Sequence, residues 1–275
     1  MPFTLSHPAA VLPFVRRPLS AAGLVAGAIA PDLPYFARAL PVPVTAQSWY
    51  EPYLNATTSH GLTGSLTVGL PYAILLAAAW WAARRPAAAL LVAGPTADGA
   101  APRDDAGGGG GLRPVAVRGG WILLSLLIGI ATHLLWDSFT HGDGYVVTHV
   151  AALSDPAIGG LTWARLLQHV STVAGLVVLA WYLWRRRSGL RVRAGAAVTV
   201  LAVAAAGAVA GALLQWRSAA GDPAGVSVEV LLRAAAETAG VTLFGAAAVY
   251  VAAWWLVHAN RHQRRNSLRR PASTA

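Results

Sequence analysis

Apolar residues gather into five stretches, about 65–83, 121–139, 162–184, 194–214 and 238–257. Each approaches the roughly 20 residues that a bilayer-spanning helix requires. The pattern predicts an all-α fold, a polytopic membrane helix bundle of five spans, because only helices and closed barrels satisfy every backbone polar group inside lipid. Between them, residues 84–120 carry Pro86, Pro95, Pro102, Asp104, Asp105 and the glycine run Gly107 to Gly111, a composition that predicts a flexible linker without a core.

The first residues break the pattern. Ala9 to Val15 and Leu19 to Ala30 are each too short to span, and Arg16-Arg17-Pro18 separates them, so they predict a helical hairpin packed against the bundle. Pro31 and Pro34 bracket Asp32 and stop or kink its second arm. Trp49, Tyr50 and Tyr53 follow in a loop suited to the membrane interface. The organisation expected is therefore hairpin, aromatic loop and first span over 1–83, linker over 84–120, four spans over 121–257 and a basic disordered tail over 258–275. The opening Met1-Pro2-Phe3-Thr4-Leu5-Ser6-His7-Pro8 carries no basic start before an apolar core, so no secretory leader is predicted.

Composition supports a membrane protein: hydrophobic residues make up 56% of 275 positions and charged ones 12%. A net charge of +10 raises nucleic acid as a partner, but every basic residue is Arg, and most follow apolar stretches directly. Clusters at Arg84-Arg85, Arg185-Arg186-Arg187 with Arg191 and Arg193, and Arg261-Arg264-Arg265 with Arg269-Arg270 match cytoplasmic loops under the positive-inside rule. No nucleic-acid role is expected; the partner is the lipid bilayer. Alternation then sends 140–161, which has no Lys or Arg, and 215–237, with Arg217 and Arg233, to the outer side. The expected location is the plasma (inner) membrane, multi-pass, with the Arg-rich carboxyl-terminal tail in the cytoplasm.

The chemistry concentrates in Thr132-His133-Leu134-Leu135-Trp136-Asp137-Ser138-Phe139-Thr140-His141, at the end of the second span. Ionisable groups are expensive there unless paired or coordinated. His133 and Asp137 lie four apart, one turn along one helix face, where both can ligate one cation or a close pair. His141 continues that face. Under the expected topology His60, just before the first span, and His169, near the start of the third, lie at the same end, and the hairpin can bring His7 and Asp32 there. With no cysteine in the chain, nitrogen and oxygen are the strong donors available, which suits a divalent metal, zinc being the plainest choice for hydrolysis. Zinc lowers the pKa of a water it holds to about 7, supplying a nucleophile without Ser or Cys.

Other polar residues read more plainly. His149 belongs to a solvated loop, His258 and His262 to an interfacial tail, and Glu229 with Glu237 flank Arg233 at the spacing of helix ion pairs. Ser59, Thr132 and Gln168 are candidates to orient the imidazoles.

At Pro2-Phe3-Thr4-Leu5-Ser6-His7-Pro8, Ala30-Pro31-Asp32-Leu33-Pro34-Tyr35-Phe36, Thr58-Ser59-His60-Gly61, the His133 segment and Gln168-His169-Val170-Ser171-Thr172, the chain resembles a family described only as domain of unknown function 4184. The resemblance covers residues 1 to about 185. The ordered signature is also similar to YdjM-like membrane-bound metal-dependent hydrolases, and through them to zinc-dependent phospholipase C and P1-type nucleases. That similarity implies a phosphoester hydrolase with a multinuclear zinc site. Where the YdjM-like group has Pro-Asp-x-Asp, this chain has Pro31-Asp32-Leu33-Pro34, without the second acid.

The expected activity is a metal-dependent membrane hydrolase acting on a phosphoester lipid or envelope intermediate. Asp137 and His133 are its expected catalytic residues, and His7, Asp32, His60, His133, Asp137, His141 and His169 its expected metal ligands. The alternatives are a metal-ion or small-solute transporter, which calls for ligands on broken helices in paired repeats, and a non-enzymatic membrane protein.

Overall fold

A computed structural model of the chain describes residues 4–37, 42–45, 47–93, 112–186, 190–219 and 226–268. A 3-10 turn at Thr4–Ser6 leads into α1 (Pro8–Val11), and after a second turn at Leu12–Phe14 the chain reverses into α2 (Ala21–Ile29). A turn at Ala30–Asp32, α3 (Leu33–Ala37), α4 (Glu51–Leu54) and α5 (Ala56–His60) follow. Next, α6 (Leu62–Gly64) runs through a π-helical turn, Ser65–Gly69, into α7 (Leu70–Ala89) and strand β1 (Leu91–Ala93). The remaining elements are α8 (Leu112–Thr140), α9 (Tyr145–His149), α10 (Trp163–Arg186), β2 (Leu190–Val192), α11 (Ala194–Ser218) and α12 (Val228–Leu268).

Among the described residues, five helical segments are long and apolar enough to cross a membrane: Leu62–Ala89, Val115–His149, Trp163–Arg186, Ala194–Ser218 and Val228–Arg261. Each coincides with one of the five expected stretches, the third beginning one residue later than expected, and the all-α class holds, with β1 and β2 as a three-residue antiparallel pairing. The amino-terminal hairpin forms as α1 and α2. Two boundaries move. The helix entering the expected linker continues to Ala89 and the next begins at Leu112, leaving 94–111 outside the described residues. The expected disordered tail is helical to Leu268, and 269–275 lie outside the described residues.

The chain forms two compact units. The first comprises Met1–Trp80 with Gly94–Gly189, and its centre is the crossing of α2 and α8. Small residues make that crossing close. A Cβ on Gly27 would meet the Gly129 Cα at 3.0 Å, and one on Gly23 would meet the Ser125 Cβ at 3.0 Å. Ser125 also accepts the Ser20 N–H at 2.9 Å, while Ser20 Oγ caps α2 by accepting from the Gly23 N–H. Around the crossing Val11, Leu24 and Ala28 pack on one side and Ala26, Ala30, Ala73, Leu126 and Ile130 on the other. Helix α10 supports the amino-terminal turn, its Gly175 lying where a Cβ would touch Ser6 at 3.0 Å.

The second unit comprises Trp81–Ala93 with Leu190–Ala275 and is built on α11 against α12. Gly207 and Gly211, one turn apart, face Thr242 and Thr238, a small-residue contact of the kind that lets membrane helices approach. Pro86 has no N–H for the helical bond to Ala82, and the Trp255 indole N–H donates to that Ala82 carbonyl at 3.0 Å. The Tyr250 hydroxyl caps the Pro86 carbonyl at 3.0 Å. Glu229 and Arg233 pair at 3.5 Å, four residues apart on an exposed face.

Candidate metal centre

Five residues of α8 and its end recur every fourth position: Ser125, Gly129, His133, Asp137 and His141. The first two dock α2, and the last three carry the chemistry. Because α2 lies so close at Gly129, its Ala28 carbonyl reaches His133 Nδ1 at 2.8 Å. The carbonyl can only accept, so Nδ1 carries the hydrogen and Nε2 of the neutral ring is a lone pair. His60 is fixed in the same manner, its Nδ1 donating to the Ala56 carbonyl at 2.7 Å. Helix α5 is tied down in turn: the buried Ser59 hydroxyl donates to the Pro31 carbonyl at 2.6 Å, next to Asp32. Asn55 caps that helix from the Thr57 N–H.

The result is a convergence of four donor atoms from three segments. His133 Nε2 and His60 Nε2 are 3.2 Å apart. Asp137 Oδ2 is 3.1 Å from each of them, and Asp32 Oδ1 is 3.5 Å from His133 and 3.4 Å from His60. All four atoms fall within 4.8 Å of one another. Tetrahedral ligands at zinc-like bond lengths of about 2.0–2.1 Å stand about 3.3–3.4 Å apart, so five of the six edges match a first-row cation. Both carboxylates are buried, yet none of their oxygens has a hydrogen-bond partner of sound geometry among the described residues. Such atoms are costly to leave unmatched.

Electrostatics outside the spans follow the same pairing. Burial opposes a charge on His60, but its contacts with Asp137 and Asp32 outweigh it and raise the imidazole to about 9. Burial also works against ionised Asp32, and the His133 and His60 rings overcome it, holding the carboxyl well below its ordinary range. For His7, burial and then the nearby His133 push the pKa down to about 4.

Two further imidazoles touch the other oxygen of Asp137: His7 Nε2 at 3.6 Å and His141 Nδ1 at 3.4 Å. The His7 ring stacks on His133 with centroids 3.8 Å apart. His60 and His141 keep 21% of their side-chain surface, against 0% for His133 and 1% for Asp32, so the centre is closed on the α2 side and open on one flank. That flank is a cavity of about 520 Å³, lined by Tyr35, His60, Leu62, Asp137, His141 and Tyr145 among others, with no Lys or Arg in its wall. The turn after α8 closes it: Gly144 N–H donates to the His141 carbonyl at 2.9 Å, and a Cβ there would strike the Ser138 and Asp137 carbonyls at 2.6 and 2.8 Å.

Of the seven expected ligands, the structure brings six to this place. His169 is the correction: on α10 the inward residue is its neighbour Gln168, 3% exposed, and a 100° step turns His169 to the outside. Thr132 bonds its own helix at the Gly129 carbonyl, away from the rings. His149 stacks on Tyr145 and stays exposed, and His258 stacks on Trp254. The anchoring carbonyls of Ala28 and Ala56 carry no signal in side-chain identity. Gly129 did carry one, four residues before His133.

Fold and site together define a class: a helical protein of membrane-spanning composition with a buried cluster of two carboxylates and two imidazoles able to hold a metal ion. The chain belongs to the family described as Domain of unknown function (DUF4184), whose model matches residues 1–259. No curated protein and no solved structure matches it.

Proposed function

We propose that this chain is an integral-membrane, metal-dependent hydrolase whose cation, zinc by its donor set, is held by Asp32, His60, His133 and Asp137. One observation carries the reading. Two imidazoles spend their Nδ1–H groups on backbone carbonyls, and their remaining nitrogens face each other at 3.2 Å between two carboxylates. With each Nδ1 committed to a carbonyl, the two Nε2 atoms and the carboxylates between them can be matched only by shared protons or by a cation, and four donors so placed can hold one ion. A zinc ion in such surroundings polarises a phosphoryl or carbonyl oxygen and activates water. The residues do the rest: the carbonyls of Ala28 and Ala56 orient the rings, α2 excludes water from the far side, and the cavity beside His60 and Asp137 receives the substrate.

A phosphoester lipid or envelope intermediate at the outer leaflet suits this arrangement. The cavity wall combines Leu62, Leu134 and Tyr145 with Thr57 and Ser138, and Leu62 opens the first span. The cavity on one flank favours turnover over translocation, for which a path through to the other side is required.

The test is metal content and turnover of the detergent-solubilised full chain, with and without His133→Ala plus Asp137→Ala. Stoichiometric zinc in the wild type, lost in the variant together with hydrolysis of a phosphodiester panel, is the expected result. Wild-type protein that retains no metal after reconstitution overturns the reading. Zinc uptake into proteoliposomes without phosphodiester turnover overturns it in favour of transport.

A further inference from the structure

Three segments of the second unit are tied together where α7 closes, and each brings arginine. At Pro86, where α7 lacks a helical bond, α12 supplies two donors: the Trp255 indole N–H to the Ala82 carbonyl and the Tyr250 hydroxyl to the Pro86 carbonyl, both at 3.0 Å. Strand β1 then pairs with β2, and the Arg193 N–H donates to the Leu90 carbonyl at 3.0 Å. Arg84 and Arg85 of α7 and Arg193 at the start of α11 are thereby held at one end of the unit, with Arg261 further along α12. All four side chains are exposed. No carboxylate answers them. The acids among the described residues of this unit are Glu229 and Glu237. Glu229 pairs with Arg233, and even Glu237, the nearer, lies about 25 Å from Trp254 along α12 at 1.5 Å per residue. The surface around the arginines is aromatic: the Arg84 guanidinium lies 5.4 Å over the exposed Trp81 ring, and Trp255 is exposed as well. Such rings mark the headgroup layer of a membrane. Because Trp255 and Tyr250 spend their polar hydrogens on backbone carbonyls, guanidinium groups are the donors left to face that layer. Arginines scattered over a loop would satisfy the positive-inside rule equally well. Strand pairing and the bonds at Pro86 gather these at one place.

The geometry points to a binding surface for the headgroups of anionic phospholipids, with Arg84, Arg85, Arg193 and Arg261 as its phosphate contacts. It draws on no residue of the metal centre. Guanidinium suits the task, presenting a planar fork of donors that matches phosphate oxygens two at a time. Each basic residue at an anionic membrane surface adds about fivefold to the attraction. Next to the arginines, α11 and α12 expose Val198, Leu201, Val249 and Leu256, an apolar wall for acyl chains. A lipid answers both the charge and the wall, whereas a free anion answers the charge alone.

The full-length protein in phosphatidylcholine vesicles, probed with spin-labelled phosphatidylglycerol and spin-labelled phosphatidylcholine, tests this by the fraction of each label immobilised on the protein. The wild type is expected to favour phosphatidylglycerol by about fivefold, a preference that falls toward parity at high salt. Arg84→Gln with Arg85→Gln and Arg193→Gln is expected to bring the two lipids close to parity, with helix content unchanged by circular dichroism. Arg217→Gln with Arg233→Gln removes two charges from the far end of the unit and is expected to keep the preference. Arg193→Gln alone, an exposed replacement at a helix start, is expected to give an intermediate preference and decides the matter if the triple variant does not fold. Equal immobilisation of the two lipids by the wild type overturns the inference. A wild-type preference in the triple variant, or in Arg193→Gln if that is the variant that folds, overturns this set of contacts. A loss of equal size in the far-end pair reduces the effect to net charge and overturns the site. Suppression of the preference by inorganic phosphate, but not by chloride at the same ionic strength, assigns the arginines to a free anion and overturns the lipid.

Discussion

The Ser59 hydroxyl links two candidate ligands that come from different segments, donating to the Pro31 carbonyl beside Asp32 while its neighbour His60 enters the site. It is fully buried and also reaches the Ala56 carbonyl at 3.0 Å, the same carbonyl that orients His60. Groups that aim ligands are worth about 10–100-fold in metal affinity in comparable sites. Ser59→Ala is therefore expected to weaken zinc binding by about that factor with the helices intact, measured by competition with a chromophoric chelator. An unchanged affinity would show that packing alone places His60 against Asp32. Ser59 is legible in the sequence as a candidate to orient an imidazole, but what it orients against is a backbone carbonyl, and a carbonyl has no letter.

At the scale of elements, the decisive contact is the crossing of α2 and α8. A Cβ on Gly129 would meet the Ala28 nitrogen at 2.7 Å and the Gly27 Cα at 2.8 Å, all backbone, so neither helix can yield by a side-chain rotation. Gly129→Ala is expected to destabilise by about 1–3 kcal/mol, the usual cost of overpacking, and to lower zinc affinity, because the displaced Ala28 carbonyl no longer holds His133. Gly120, on the same helix, has nothing within 4 Å of its Cβ position. Gly120→Ala is expected to leave binding unchanged and the melting temperature equal or higher, since glycine costs a helix about 1 kcal/mol relative to alanine. Thermal melts in detergent, read beside zinc content, separate the two; equal behaviour of both variants would remove the crossing from the account of the site. The fourfold spacing from Ser125 to His141 was visible as letters, but its first half reads as ordinary small residues in an apolar helix until α2 is seen against it.

For the whole molecule, the arginines at helix ends sit over aromatic rings, Arg84 over Trp81 at 5.4 Å and Arg185 over Trp181 at 4.3 Å, pairs suited to a membrane boundary. The positive-inside rule assigns those ends to the cytoplasm, an expectation under which the centre would open to the outer side. The chain has no cysteine, so single replacements report cleanly: Ile158→Cys is expected to react with an impermeant maleimide in intact cells and Arg193→Cys only after permeabilisation. The opposite pattern would place the cavity on the cytoplasmic side. Sequence alone determined the five apolar helices, the amino-terminal hairpin and six of the residues that meet, because hydropathy over a span and a buried charge in lipid are properties of the letters and their spacing. Tertiary structure alone decided which face each helix presents. It turned His169 outward on a 100° step, set backbone carbonyls against His60 and His133 through glycine contacts, and pointed the two oxygens of Asp137 at different imidazole pairs, since helix phase and approach distance depend on packing between segments far apart in the chain.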